Sequence, residues 1–249
     1  MKPFRFISAI VFASMLPIMA SQARAQDASV YVVHGIPGHD LGASVDPALP
    51  VDVLVNNAVC LLKGLRFGEV AGPFTIPAGA YDFKISLANT LTPCSNTAVI
   101  DASGVSLAAD ENASVVAYLT AASEPTAGKF DNDLSPTPSG QARLILHHTA
   151  AAGAVDITLW RPYGPSPRTL KLTGVTNGAQ ADAYATLVSG LGSSEPSYAI
   201  YPSGSRSGVF GPESLDLDPQ SAYLLYAVGS PRTGTFTVIK KEIRSVGRQ

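Results

Sequence analysis

Four histidines, two cysteines and a scatter of acidic residues are the groups in this 249-residue chain with chemistry to offer. Their spacing is suggestive in one respect. His34 ends the apolar run VYVVH and Asp52 sits inside VDVLV, while His147 ends RLILH and Asp156 sits inside VDITL. A histidine closing one strand and an aspartate on the next can come within hydrogen-bond reach. They would then act as a general base or as half of a metal site. The same two groups can instead satisfy each other and the amides of a turn, because buried polar groups need partners. Duplication favours the structural reading, since a pin is retained in every copy and a reaction centre usually is not.

The other constellations are thinner. His39 and Asp40 follow His34 across a Gly/Pro turn with no third histidine nearby, and His147 and His148 point to opposite faces if they lie on a strand. No metal or cofactor is expected from these spacings. Asp131 and Asp133, with Asp110, Glu111 and Asn112, offer clustered oxygens for calcium, but the DxDxDG-type loop is absent and solvated acidic turns account for them. Gly204–Gly208 has arginine at the centre of its GSRSG, so it is a loop and no nucleophile elbow. No P-loop, GxGxxG or HExxH occurs. Trp160 and Tyr163, in WRPYG, could present a flat aromatic surface to a sugar or peptide, or cap the core at a strand end. No catalytic residue is assigned.

Residues 1–25 read as a secretory signal peptide: Lys2 and Arg5, a 15-residue apolar run, then Ala23-Arg24-Ala25. That run is short for a membrane span, and no later segment is long and apolar enough for one. Export makes Cys60 and Cys94 a structural disulfide, against the alternatives of free thiols or a metal pair. The expected location is the periplasm or the extracellular medium. Removing the leader takes three basic residues, which leaves 14 basic against 19 acidic. This mild acidity excludes a nucleic-acid footprint.

The elements that must position these groups are strands. Short runs rich in β-branched and aromatic residues recur between Gly, Pro, Asn and Asp, and no 3.6-residue period is sustained. SLAADENASVVAY (Ser106–Tyr118) lies without a gap over SLDLDPQSAYLLY (Ser214–Tyr226), which matches Tyr118 to Tyr226, and Phe130 pairs with Phe236 two residues out of step. The expected fold class is therefore all-β: two tandem antiparallel β-sandwich domains of immunoglobulin or transthyretin type after a signal peptide. The expected limits are 26–134 for the first domain, 135–141 for a stiff Pro/Ser linker, and 142–249 for the second.

His34, Pro37, Val51-Asp52-Val53, Phe67-Gly68 and Pro77-Ala78-Gly79 with Tyr81 together resemble the DUF4397 family of exported bacterial proteins. GQARLILHHTAAAGAVDI resembles a second, divergent opening of the same pattern, without the proline and the PAG-x-Y segment. The resemblance implies a β-sandwich and brings no catalytic residues. The expected function is that of a non-enzymatic envelope or extracellular binding or structural module for an unidentified protein or glycan. A hydrolase using a His/Asp pair, with or without a metal, and a calcium-rigidified spacer are the alternatives.

Overall fold

The computed structural model describes residues 26–160, 169–186 and 196–244. Residues 1–25, where a signal peptide is expected, and Tyr163 lie outside them. Among the described residues the chain is all-β, with sixteen strands and one short 3-10 turn at Gly38–Asp40. The first eight strands are β1 (Asp27–His34), β2 (Val51–Val55), β3 (Val59–Leu65), β4 (Val70–Pro77), β5 (Gly79–Leu87), β6 (Ile100–Leu107), β7 (Asn112–Leu119) and β8 (Pro125–Asp131). The next eight are β9 (Gln141–His148), β10 (Val155–Trp160), β11 (Thr169–Val175), β12 (Ala179–Thr186), β13 (Ser197–Pro202), β14 (Phe210–Ser214), β15 (Ala222–Val228) and β16 (Thr237–Ile243).

Each set of eight folds into two facing four-stranded sheets. The first set gives orders β4-β1-β7-β8 and β3-β2-β5-β6, and the second gives β12-β9-β15-β16 and β11-β10-β13-β14. Adding eight to every strand number of the first pair reproduces the second, so the two topologies coincide. Each set also contains a parallel pair, β1 with β7 and β9 with β15, inside otherwise antiparallel sheets. Between the sheets of each pair lies an apolar core. Val32, Val53, Phe83, Ile85 and Leu119 anchor the first, and Leu146, Ile157, Tyr198, Ile200 and Leu225 the second.

The two sandwiches are not beads on a linker. A third apolar cluster joins the sheet containing β1 and β7 to the sheet containing β9 and β15: Tyr31, Val33, Val116, Phe130, Ile145, Leu224, Tyr226, Val228 and Ile239. This seam explains why the central strands are buried along almost their whole length, as strands covered on both faces must be. All seven residues of β15 are buried. Polar contacts cross the same boundary. Ser114 and Tyr226 hydroxyls lie 2.7 Å apart, Asn177 Nδ2 donates to the Leu119 carbonyl, and Gln180 Nε2 donates to that of Asp131. Gly35 marks a close approach, because a Cβ there would fall 2.7 Å from Val228 Cγ1. Even the first core borrows from the second half, through Ala151. The segment between β8 and β9 is held as well. The buried Arg143 pairs with Asp133, donates to Ser135 Oγ at 2.8 Å and to the Tyr184 hydroxyl, and lies over the Tyr184 ring.

The repeat register needs two corrections. The Gly35 amide donates to the Ala117 carbonyl and the Thr149 amide to that of Ala227. Gly35 therefore corresponds to Thr149, and His34 to His148 rather than to His147. The same bonds equate Ala117 with Ala227, two residues away from the gapless alignment of Tyr118 with Tyr226. A two-residue slip keeps every side chain on its face, whereas the one-residue slip at the histidines exchanges the faces.

Candidate functional site

His34 and His148 occupy one structural position. Each is the last residue of its strand, buried, and turned toward the loop that precedes the second strand of its sandwich. His34 Nε2 lies 2.8 Å from the Leu49 carbonyl and His148 Nε2 lies 2.8 Å from the Gly153 carbonyl. A carbonyl only accepts, so Nε2 carries the proton in both rings. The Ile36 amide then donates to His34 Nδ1 at 3.4 Å. Burial pushes both imidazoles below the ordinary histidine value, against the opposing effect of the carbonyl bond. Both rings are therefore neutral staples of the β1–β2 and β9–β10 loops.

Asp52 and Asp156 are likewise equivalent, and no hydrogen bond joins either to a histidine. Asp52 points away from the core, onto the outer face of its sheet, where its carboxylate accepts three backbone N–H groups. These are Gly64 on Oδ1 at 2.9 Å, with Asn89 at 3.0 Å and Cys94 at 2.8 Å on Oδ2. Asp156 accepts the Gly174 amide at 2.8 Å and the Gly204 amide at 3.4 Å. Gly64 and Gly174 sit at irregular registers of β3 and β11, at φ of +66° and +68°, the left-handed region glycine tolerates. In both halves one carboxylate thus ties the bulge of the third strand to the loop after the fifth. Burial raises the Asp52 pKa, but the amides of Cys94, Asn89 and Gly64 together outweigh it and hold the carboxyl below its usual value.

What Asp52 secures is a raised platform. Residues 88–99 fold back over the outer sheet, where the Cys60–Cys94 disulfide closes them down with a Cα–Cα distance of 5.8 Å. Asn89 organises the interior of this loop. Its Oδ1 accepts the amides of Leu91 and Thr92, and its Nδ2 donates to Ser95 Oγ. The segment NTLTPCSNT carries no charge, and at its tip Leu91 is 93% exposed. A sequence reading centred on ionisable groups passes over this loop. Its signal is an uncharged Thr/Asn/Ser run around one leucine, beside a cysteine.

The remaining candidates are otherwise engaged. The Lys129 ammonium sits between Glu111 and Asp131, with Asp131 Oδ1 at 3.0 Å, and Arg143 holds Asp133, so cationic side chains occupy the space between the acidic turns. Glu111, Lys129, Asp131 and Asp133 line an open cleft of about 580 Å³, to which Gln180 of β12 also contributes. Among the described residues no three His, Cys, Asp or Glu side chains converge as metal ligands. His39 is exposed, and Trp160 ends β10 half-buried, in register with Thr169 of β11 and Ser197 of β13. His147 lies on the opposite face from His148, inside the seam, fully buried.

A family profile described as a domain of unknown function (DUF4397) matches residues 28–158, spanning the first sandwich and continuing through β9 into β10. No curated protein matches the chain significantly. Among solved structures, the fimbrial anchor protein Mfa2 from Porphyromonas gingivalis is similar over 87% of this chain and 97% of its own, at 10% identity and a TM-score of 0.29. A putative adhesin from Bacteroides ovatus is similar over 81% and 88%, at 12% identity and a TM-score of 0.25. At that level neither likeness informs function.

Proposed function

We propose, from the premise that the chain belongs to the DUF4397 family, that it is an exported, non-enzymatic binding or structural module of the cell envelope or extracellular space, and that its second half is a divergent copy of the first. The disulfide supports an oxidising, extracytoplasmic compartment, reached through removal of residues 1–25. One observation carries the binding role: Asp52, Asn89 and the Cys60–Cys94 bond together hold an uncharged loop rigid while leaving Leu91 in solvent. Loops pre-organised on a stiff scaffold lose little entropy when they bind. The ligand is a protein or glycan surface without strong charge, since the loop offers hydroxyls, amides and one apolar tip.

Hydrolysis by the His/Asp groups is disfavoured because a base needs a free imidazole nitrogen facing a substrate. The Nε2 proton of His34 is spent on a carbonyl and its ring is buried. A calcium-rigidified spacer is disfavoured because Lys129 and Arg143 already neutralise the acidic turns.

The test is a comparison of immobilised mature protein with its Leu91→Asp variant, both exposed to envelope extract and to a glycan array. The reading expects an unchanged melting temperature and loss of a specific captured species in the variant. Capture indifferent to Leu91, or turnover of a hydrolase substrate that disappears in His34→Ala, would refute it.

A further inference from the structure

His147 is fully buried in the seam between the two sandwiches, in surroundings that suit only a neutral ring. It stacks on Tyr226 with centroids 4.6 Å apart and planes 14° from parallel, and it meets the edge of Phe130 at 5.3 Å and 81°. Among the described residues neither ring nitrogen has a hydrogen-bond partner. The Leu225 backbone lies close enough to favour a proton slightly but is not placed to bond it.

Beyond the Leu225 backbone and the face of Tyr226, the groups around it offer an imidazolium no hydrogen-bond acceptor and no anion. From β15 comes Tyr226, from β1 Tyr31 and from β7 Tyr118, all pushed up by burial and so uncharged below neutrality. The β8 neighbour is Phe130. Gln180 of β12, paired with His147 across the sheet, spends its side-chain amide on the Asp131 carbonyl. The charges nearest the seam include two cations: Arg143, on the same face of β9, and Lys241 of β16, which lies over the Tyr31 ring at 5.7 Å. Asp131, Asp133 and Asp182 belong to the rim, where Lys129 and Arg143 hold them.

We infer that the seam is an acid-sensitive joint: His147 takes up a proton only when the two sandwiches part, so an acidic medium separates them and uncovers Tyr31, Val33, Leu224 and Val228 as a second, apolar contact face. Each sandwich keeps its own core in the open form, and residues 132–140 keep the halves tethered. His34 and His148 titrate too, but they face the sandwich interiors, so their protonation unravels strands instead of parting intact halves.

The experiment takes the full mature chain from pH 7.5 to pH 4, following the radius of gyration by small-angle scattering, exposed apolar surface by anilinonaphthalene sulfonate fluorescence, and strand content by far-UV circular dichroism. One linked proton raises the opening constant about tenfold per pH unit below the free imidazole value. Parent protein is expected to expand and bind dye while keeping its strands. His147→Phe, which preserves the stack on Tyr226, is expected to stay closed throughout, and His147→Leu serves if the phenylalanine variant does not fold. Expansion at the same pH in the variants, no expansion of the parent by pH 4, or expansion coincident with strand loss would each overturn the inference.

Discussion

Replacing Asp52 tests how the platform is held. The carboxylate is buried to 1% exposure and is the acceptor for three amides. Alanine leaves those donors without an acceptor beneath the loop. An unsatisfied buried N–H costs about 1–3 kcal/mol, and lifting of the loop rehydrates part of the set, so Asp52→Ala should lower stability by roughly 3–4 kcal/mol. Asparagine keeps one oxygen but turns an NH2 toward donors, for about 2 kcal/mol. The equivalent Asp156 gives an internal control. It is half-buried, with one short and one 3.4 Å contact, and Asp156→Asn should cost about 1 kcal/mol or less. Urea unfolding of the mature chain at pH 7.5 measures all three, and protease cleavage within 88–99 should accelerate only in the Asp52 variants. The sign with pH follows from the lowered Asp52 pKa. Its contribution is fully present above the ordinary carboxylate value near 4 and fades as pH falls through the lowered one, so the asparagine variant should lose less stability than the parent in that window. Equal losses at positions 52 and 156, or a loss under about 0.5 kcal/mol at 52, would refute the anchoring argument.

Cys60→Ser opens a bond that spans 34 positions. It should lower stability by about 3–4 kcal/mol, and a melting temperature insensitive to both the substitution and reductant would contradict the staple. His34→Ala and His148→Ala each leave a loop carbonyl unpaired and a ring-sized void, and each should destabilise by about 2–4 kcal/mol in denaturant unfolding. Gly35→Ala forces Val228 away at the seam and should lower the melting temperature by several degrees, about 1–2 kcal/mol. His147, held at about 3 by burial, is fully stabilising above the free-imidazole value of about 6.5. It loses about 1.4 kcal/mol per pH unit below that, so His147→Phe should flatten the acid limb of a stability–pH profile.

The strands at the centre of each sheet were legible because burial leaves a strong apolar imprint: β2 (VDVLV), β10 (VDITLW) and β15 (AYLLYAV) are short runs rich in apolar, β-branched and aromatic residues. Three of the edge strands were not. β6 (IDASGVSL), β8 (PTAGKFD) and β14 (FGPES) each have one side to solvent and carry Gly, Pro and charge, which is the composition of a turn. The repeat was readable as an order of landmarks, but its register was not. Two adjacent histidines compete for one position, and only the main-chain bonds of Gly35 and Thr149 decide between them. Asp52 was visible as a duplicated residue, yet its partners lie 12, 37 and 42 positions away. No local spacing encodes such contacts. The seam had a trace in consecutive apolar residues, LIL in β9 and the whole of β15, which need cover on both faces. A sandwich standing alone supplies cover on only one.

Two sandwiches are fused face to face, with aspartates and buried histidines as fasteners. The direct measurement is urea unfolding of the mature chain at pH 7.5, followed at once by Trp160 fluorescence, which reports the second half, and by amide hydrogen exchange in β1 and β7, which reports the first. A shared seam predicts coincident transitions with a single midpoint. Two well-separated midpoints, with β1 and β7 still protected after Trp160 has become exposed, would contradict it.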